Sequence, residues 1–141
     1  MMKSSLLALV LLTACSTMTK GKYKKEFHLE DYQSSKSPEE LHKLLTEKMT
    51  KCYPQSEYPV YEKTISEYNA AKNSGSVHYE IDNQSMGPKI LVYVEVEKTD
   101  TGSVAKVYSK GDLLRTPNSF KHQVHKWLDG KKVDCDGQGQ I

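Results

Sequence analysis

Three short breaks separate four strand-like stretches in the middle of this chain, and they constrain its fold more than any other feature. The breaks are Lys72–Asn73–Ser74–Gly75, Ser85–Met86–Gly87–Pro88 and Thr99–Asp100–Thr101–Gly102, all rich in turn-forming residues. Around them lie Tyr58–Tyr68, Ser76–Asp82, Lys89–Glu97 and Val104–Ser109. Parallel strands need a crossover of a dozen or more residues, and these breaks are far shorter. The stretches are therefore expected to form antiparallel hairpins. The first is the least regular. In the second, Val77, Tyr79 and Ile81 alternate with His78, Glu80 and Asp82. In the third, Ile90, Val92, Val94 and Val96 occupy one face, and Leu91, Tyr93, Glu95 and Glu97 the other.

Two helices flank this block. Ser37–Pro38–Glu39–Glu40 has the form of a capping box with proline at the first helical position. Leu41, Leu44, Leu45, Met49 and Cys52 then recur at helical spacing, and Pro54 ends the segment. The second helix is expected to follow Pro117, with Asn118 or Thr116 as its cap. It carries a stripe of Phe120, Val124, Trp127 and Leu128 and stops at Gly130. The expected fold is α+β: helix, four-stranded antiparallel sheet, helix, with both helices covering one face. With 141 residues, 37% of them hydrophobic and 27% charged, there is room for one modest core. A formal net charge of +2 argues against a nucleic-acid partner, which calls for a basic excess gathered on one face.

The N-terminus reads as an address. Lys3 precedes the apolar run Leu6–Leu12, which is far shorter than the about 20 residues a spanning helix needs. Leu12–Thr13–Ala14–Cys15 follows, and it resembles the lipobox of bacterial lipoproteins. The resemblance implies that Cys15 takes a diacylglyceryl thioether, that residues 1–14 are removed as a signal peptide, and that the new terminus is acylated. Several acyl chains on one residue give a stable membrane anchor. By the same resemblance, Ser16 in place of an aspartate favours the outer membrane of a Gram-negative host, with the domain facing the periplasm. The helix and strand order resembles a helix-grip pattern of other periplasmic lipoprotein domains, including those of the β-barrel assembly machinery. That analogy concerns fold alone.

Residues 15–36 read as a lipidated flexible tether, since their few apolar residues show no period. Lys20, Lys22, Lys24 and Lys25 cluster there, either to meet an anionic membrane surface or to keep a linker soluble. The globular domain is expected over 37–135, with a polar tail at 136–141. With Cys15 taken by lipid, Cys52 and Cys135 remain as a pair in an oxidising compartment. A disulfide is expected, closing a loop of about 83 residues and contributing up to about 4 kcal/mol.

The sequence carries no signature of catalytic chemistry. His122 and His125 lie three apart on the second helix, but on the polar side of its stripe, where two solvated histidines are expected rather than a metal site. No phosphate loop, nucleophile elbow or zinc-protease motif occurs, and no cofactor is implied. Glu95 and Glu97 share a strand face as solvating carboxylates. Nine tyrosines against two phenylalanines and one tryptophan are the unusual count. Leu91, Tyr93 and Tyr108 are the candidate binding surface on the uncovered sheet face. The resulting expectation is a non-catalytic lipoprotein, a binding or envelope-assembly accessory with an envelope protein as partner. The alternative is an inhibitor or sequestering module against a cell-wall hydrolase, using the loop at 85–88 or 111–115. A small envelope enzyme ranks third.

Overall fold

A computed structural model describes residues 20–57, 59–83, 85, 87–111, 115–130 and 135. The described residues include part of the expected tether. Helix α1 (Lys20–Phe27) leads directly into strand β1 (His28–Ser34). Helix α2 (Pro38–Cys52) follows, then β2 (Tyr61–Asn69), a 3-10 turn (Ala70–Lys72), β3 (Ser74–Asp82), β4 (Pro88–Thr99), β5 (Gly102–Ser109) and helix α3 (Pro117–Leu128). The expected signal peptide, Cys15, Ser16 and the tail at 136–141 lie outside the described residues.

The expected antiparallel sheet is present, with five strands instead of four, in the order β1-β5-β4-β3-β2. The additional strand comes from the supposed tether. β1 pairs antiparallel with β5 from His28 opposite Tyr108 to Ser34 opposite Ser103, and a bulge falls between His28 and Glu30. The bulge explains why the segment shows no strand period. Its two core contacts, Leu29 and Tyr32, stand three residues apart where an unbroken strand would place them two or four apart. The tether expected over 15–36 is thus corrected for residues 20–34, which belong to the fold.

Both flanking helices start where their caps dictate. Ser37 accepts from the Glu40 backbone N–H at 3.2 Å, and the Glu40 carboxylate accepts from the Ser37 backbone N–H at 3.0 Å. Thr116 caps α3 by accepting from Ser119 N–H at 3.2 Å. α2 and α3 cover one face of the sheet. Leu41, Leu45 and Met49 from α2 and Phe120, Val124 and Trp127 from α3 meet Val77, Tyr79, Val92, Val94, Val96 and Val107 in one core. Leu44, expected in the α2 stripe, is only half-buried, and His42 takes a buried place instead. Its ring packs over Gly75. A Cβ there would come within 2.8 Å of His42 Cδ2 and 2.7 Å of the Tyr68 ring, so α2 approaches β3 closely only because the residue is glycine.

Cys52 and Cys135 form the expected disulfide, with Cα atoms 5.2 Å apart and a sequence separation of 83. The sheet face opposite α2 and α3 carries α1. That third helix was not foreseen, and it changes the reading of the whole outer face.

Candidate functional site

Three tyrosines organise the outer face. Tyr93 and Tyr108 are cross-strand partners, with ring centroids 5.9 Å apart, edge to face. α1 lays Tyr23 and Phe27 over them, one turn apart and 5.0 Å between centroids. Tyr23 is 2% exposed. Its hydroxyl donates to the Leu91 carbonyl at 3.1 Å and accepts from Lys110 N–H at 3.2 Å. Burial pushes the Tyr23 phenol up to about 12. The Leu91 carbonyl is open to it because β4 is bulged. The register slips between Tyr79 and Glu80, so that Leu91 has no partner in either ladder. Tyr23 and Ser109 Oγ both donate to its carbonyl, which satisfies a backbone group the bulge would otherwise leave bare.

The proposed exposed surface of Leu91, Tyr93 and Tyr108 is therefore corrected. The three residues are 3%, 5% and 7% exposed. Tyr93 and Tyr108 lie beneath α1, and Leu91 is not on their face at all. The bulge turns Leu91 into the main core and Ile90 out toward the tyrosines, the reverse of strict alternation.

Charge fixes α1 as well. Lys24 Nζ donates to both Glu95 oxygens, at 2.8 and 3.0 Å, and this contact raises the Lys24 pKa. Lys20 reaches Glu67 at 3.4 Å, and Lys22 pairs with Glu26 at 3.9 Å. Glu97 is held by Lys106 at 2.6 Å. The lysine cluster is thus turned in part onto sheet carboxylates, and Glu95 and Glu97 serve as its counter-ions and that of β5. No helix among the described residues is long and apolar enough to cross a membrane.

An open groove of about 400 Å³ lies beside α1, at the β2–β3 hairpin. Glu67, Tyr68 and Asn69 from β2, Lys72 from the 3-10 turn, Ser74, Gly75 and Ser76 from β3, and Tyr93 and Glu95 from β4 line it. The register places Glu67 opposite Ser76, and Ser76 opposite Glu95, so these groups form one row across three strands. Beyond Ser76 on β3 lies His78, 3% exposed and stacked on Tyr93 at 5.8 Å. His78 Nε2 sits 3.2 Å from Glu80, which also meets Lys63 at 3.3 Å. Burial lowers the His78 pKa, outweighing the opposing pull of Glu80.

No protein-family model, no curated protein and no solved structure matches this chain.

One arrangement invites a catalytic reading and does not support it. His42 Nε2 lies 3.1 Å from Ser66 Oγ, the spacing of a nucleophile and its base. The same nitrogen lies 3.1 Å from the Ser76 carbonyl oxygen. A carbonyl only accepts, so the proton sits on Nε2 and is donated there, and Nε2 then has no lone pair for the serine proton. His42 works as a pin joining α2 to β2 and β3. His122 and His125 are exposed, and His125 stacks on Tyr32 at 4.9 Å and pairs with Asp129 at 3.4 Å. Among the described residues no three His, Cys, Asp or Glu side chains gather as a metal site.

Sequence reasoning missed Tyr23, His78 and the Ser74–Ser76 row. One signal was available. Tyr23 and Phe27 are four apart, as are Lys20 and Lys24, which marks one helical face with aromatic and basic edges.

Proposed function

We propose that this chain is a lipid-anchored envelope lipoprotein whose small domain acts by binding and not by catalysis, held at the outer membrane with its domain in the periplasm. The observation that carries this reading is the distance between anchor and fold. Cys15 closes the lipobox-like Leu12–Cys15, and α1 starts at Lys20. Five residues span at most about 18 Å when fully extended. The domain then rides directly on the membrane surface, with the α1 end of its outer face nearest the lipid. The Cys52–Cys135 bridge supports an oxidising compartment. α2 and α3 on one face retain the helix-grip-like part of the expected arrangement as an analogy of fold, which carries no function.

The binding half of the reading draws on the polar groove, whose lining places hydroxyl, amide and carboxylate groups around an aromatic ring. The test is metabolic labelling with radioactive palmitate in a Gram-negative host, followed by membrane fractionation. The wild type is expected to carry label and to fractionate with the outer membrane, and Cys15→Ser to lose both. An unlabelled wild type released as a soluble periplasmic protein would overturn the anchor.

A further inference from the structure

We propose that α1 is a strap released by acid, with His78 as the group that takes the proton. The proposal goes beyond the function above and is independent of the lipid.

His78 sits on the sheet face that α1 crosses. Its buried ring stacks on Tyr93 of β4, and Tyr93 in turn packs with Tyr23 of α1. Ile65 of β2 is its cross-strand neighbour on the other side. Nε2 lies 3.2 Å from a Glu80 carboxylate oxygen. A carboxylate only accepts, so Nε2 carries the proton of the neutral ring and Nδ1 is the basic nitrogen. Nδ1 is buried and has no hydrogen-bond partner among the described residues. A second proton must land there, where it creates a buried charge and an unpaired N–H donor at once. Glu80 on β3 and Glu67 on β2 favour the imidazolium, and Lys20 of α1 opposes it. Lys63 of β2, 3.3 Å from Glu80, already offsets part of that carboxylate's charge. Burial outweighs the glutamates, so the docked form resists the proton.

Relief comes from the element held least firmly. β3 is bonded to β2 on one side and to β4 on the other, so the strand that carries His78 is fixed. α1 is only 8 residues long. It is held by the Tyr23 hydroxyl, by the ring contacts of Tyr23 and Phe27, and by ion pairs from Lys20 and Lys24 that are partly or largely exposed. Lifting its first turns takes Lys20 away from the ring and admits water to Nδ1. The lifted state then holds the proton more tightly than the docked one, and by linkage acid draws α1 off the sheet. Tyr93 and Tyr108 come into the open together with Tyr23 and Phe27. An aromatic surface closed at neutral pH becomes available in acid.

The experiment is amide hydrogen exchange on the full-length protein in detergent at about pH 7 and about pH 5. Rates are converted to protection factors, so that the intrinsic pH dependence of exchange cancels. The amides of α1 are expected to exchange at least about tenfold faster than those of α2 at both pH values, as a strap that opens by itself must. Their protection is expected to fall about tenfold between the two, within a ceiling of about thirtyfold set by the roughly 1.5 pH units below an ordinary histidine value near 6.5. His78→Gln and His78→Phe should show no such step. Lys20→Ala, a surface change that leaves the fold intact, should shrink it, and decides the matter if the His78 variants fail to fold. Lys24→Ala should loosen α1 equally at both pH values and leave the step whole. His28 follows α1 directly, pairs with Asp31 and touches the Tyr108 ring, which makes it the rival sensor, and His28→Gln should keep the step. The proposal is overturned if α1 protection is the same at both pH values, or if α1 and α2 exchange at a common rate. It is equally overturned if the step survives undiminished in Lys20→Ala or the His78 variants, or vanishes in His28→Gln. The palmitate result has no bearing on the exchange.

Discussion

His78 carries the clearest residue-level consequence. Its ring is buried against Tyr93, and burial holds its pKa below the unfolded value near 6.5 despite Glu80. On acidification the unfolded chain takes up the proton first. The contribution of His78 is therefore complete above about pH 6.5 and declines as pH falls through that value. Urea midpoints measured at about pH 7 and about pH 5 should drop for the wild type, and by less for His78→Phe. An equal drop in both would place the pH dependence elsewhere. Gly75 offers a second test. A methyl group there would crowd the Glu67 carbonyl at 2.8 Å as well as the His42 and Tyr68 rings. Gly75→Ala is expected to cost about 1–3 kcal/mol, readable as a lowered urea midpoint. Neither residue was legible as special in the sequence. His78 reads as the polar half of an alternating strand, because alternation says which face a residue is on and nothing about what covers that face.

At the level of elements, the legible parts were those whose determinants are local. Ser37 and Glu40 specify the start of α2 within four residues, and Thr116 with Pro117 does the same for α3. The turns between β2 and β5 carry their own chemistry too. α1 and β1 were not legible because their determinants are distant. The Tyr23 hydroxyl meets Leu91 and Lys110 across 68 and 87 residues. The Leu91 bulge was invisible for the same reason, since a run of apolar residues fits either register. α1 should detach as a unit. Tyr23→Phe removes the hydroxyl alone and is expected to cost about 1 kcal/mol. Tyr23→Ala also removes the buried ring and should cost about 3 kcal/mol. Hydrogen exchange distinguishes a strap from a core helix. In Tyr23→Ala, the amides of α1 should lose protection while those of α2 keep theirs. The Lys24–Glu95 pair is partly exposed, and Lys24→Ala is expected to cost less than about 1 kcal/mol in the same assay.

For the molecule as a whole, the Cys52–Cys135 bridge was the long-range contact the sequence did disclose, because cysteine arithmetic left a single pair. It fastens the chain beyond α3 to the end of α2, and so closes the domain at the side away from α1. Cys135→Ser is expected to lower stability by at most about 4 kcal/mol, seen as a shift in urea midpoint that dithiothreitol reproduces in the wild type. A midpoint unmoved by either change would mean the bridge adds nothing to the packed helices.

The order in which the chain folds follows from the pairing of its first strand with its last. β1 has no ladder until β5 has arrived, and α1 has no seat until Leu91 and Lys110 are in place. Closing such long loops comes late, after the local hairpins. The segment next to Cys15 is therefore the last to dock although it is the first to be made. If Cys15 is lipidated during export, as proposed above, the modifying enzyme meets it on an open chain, before α1 docks on the outer face.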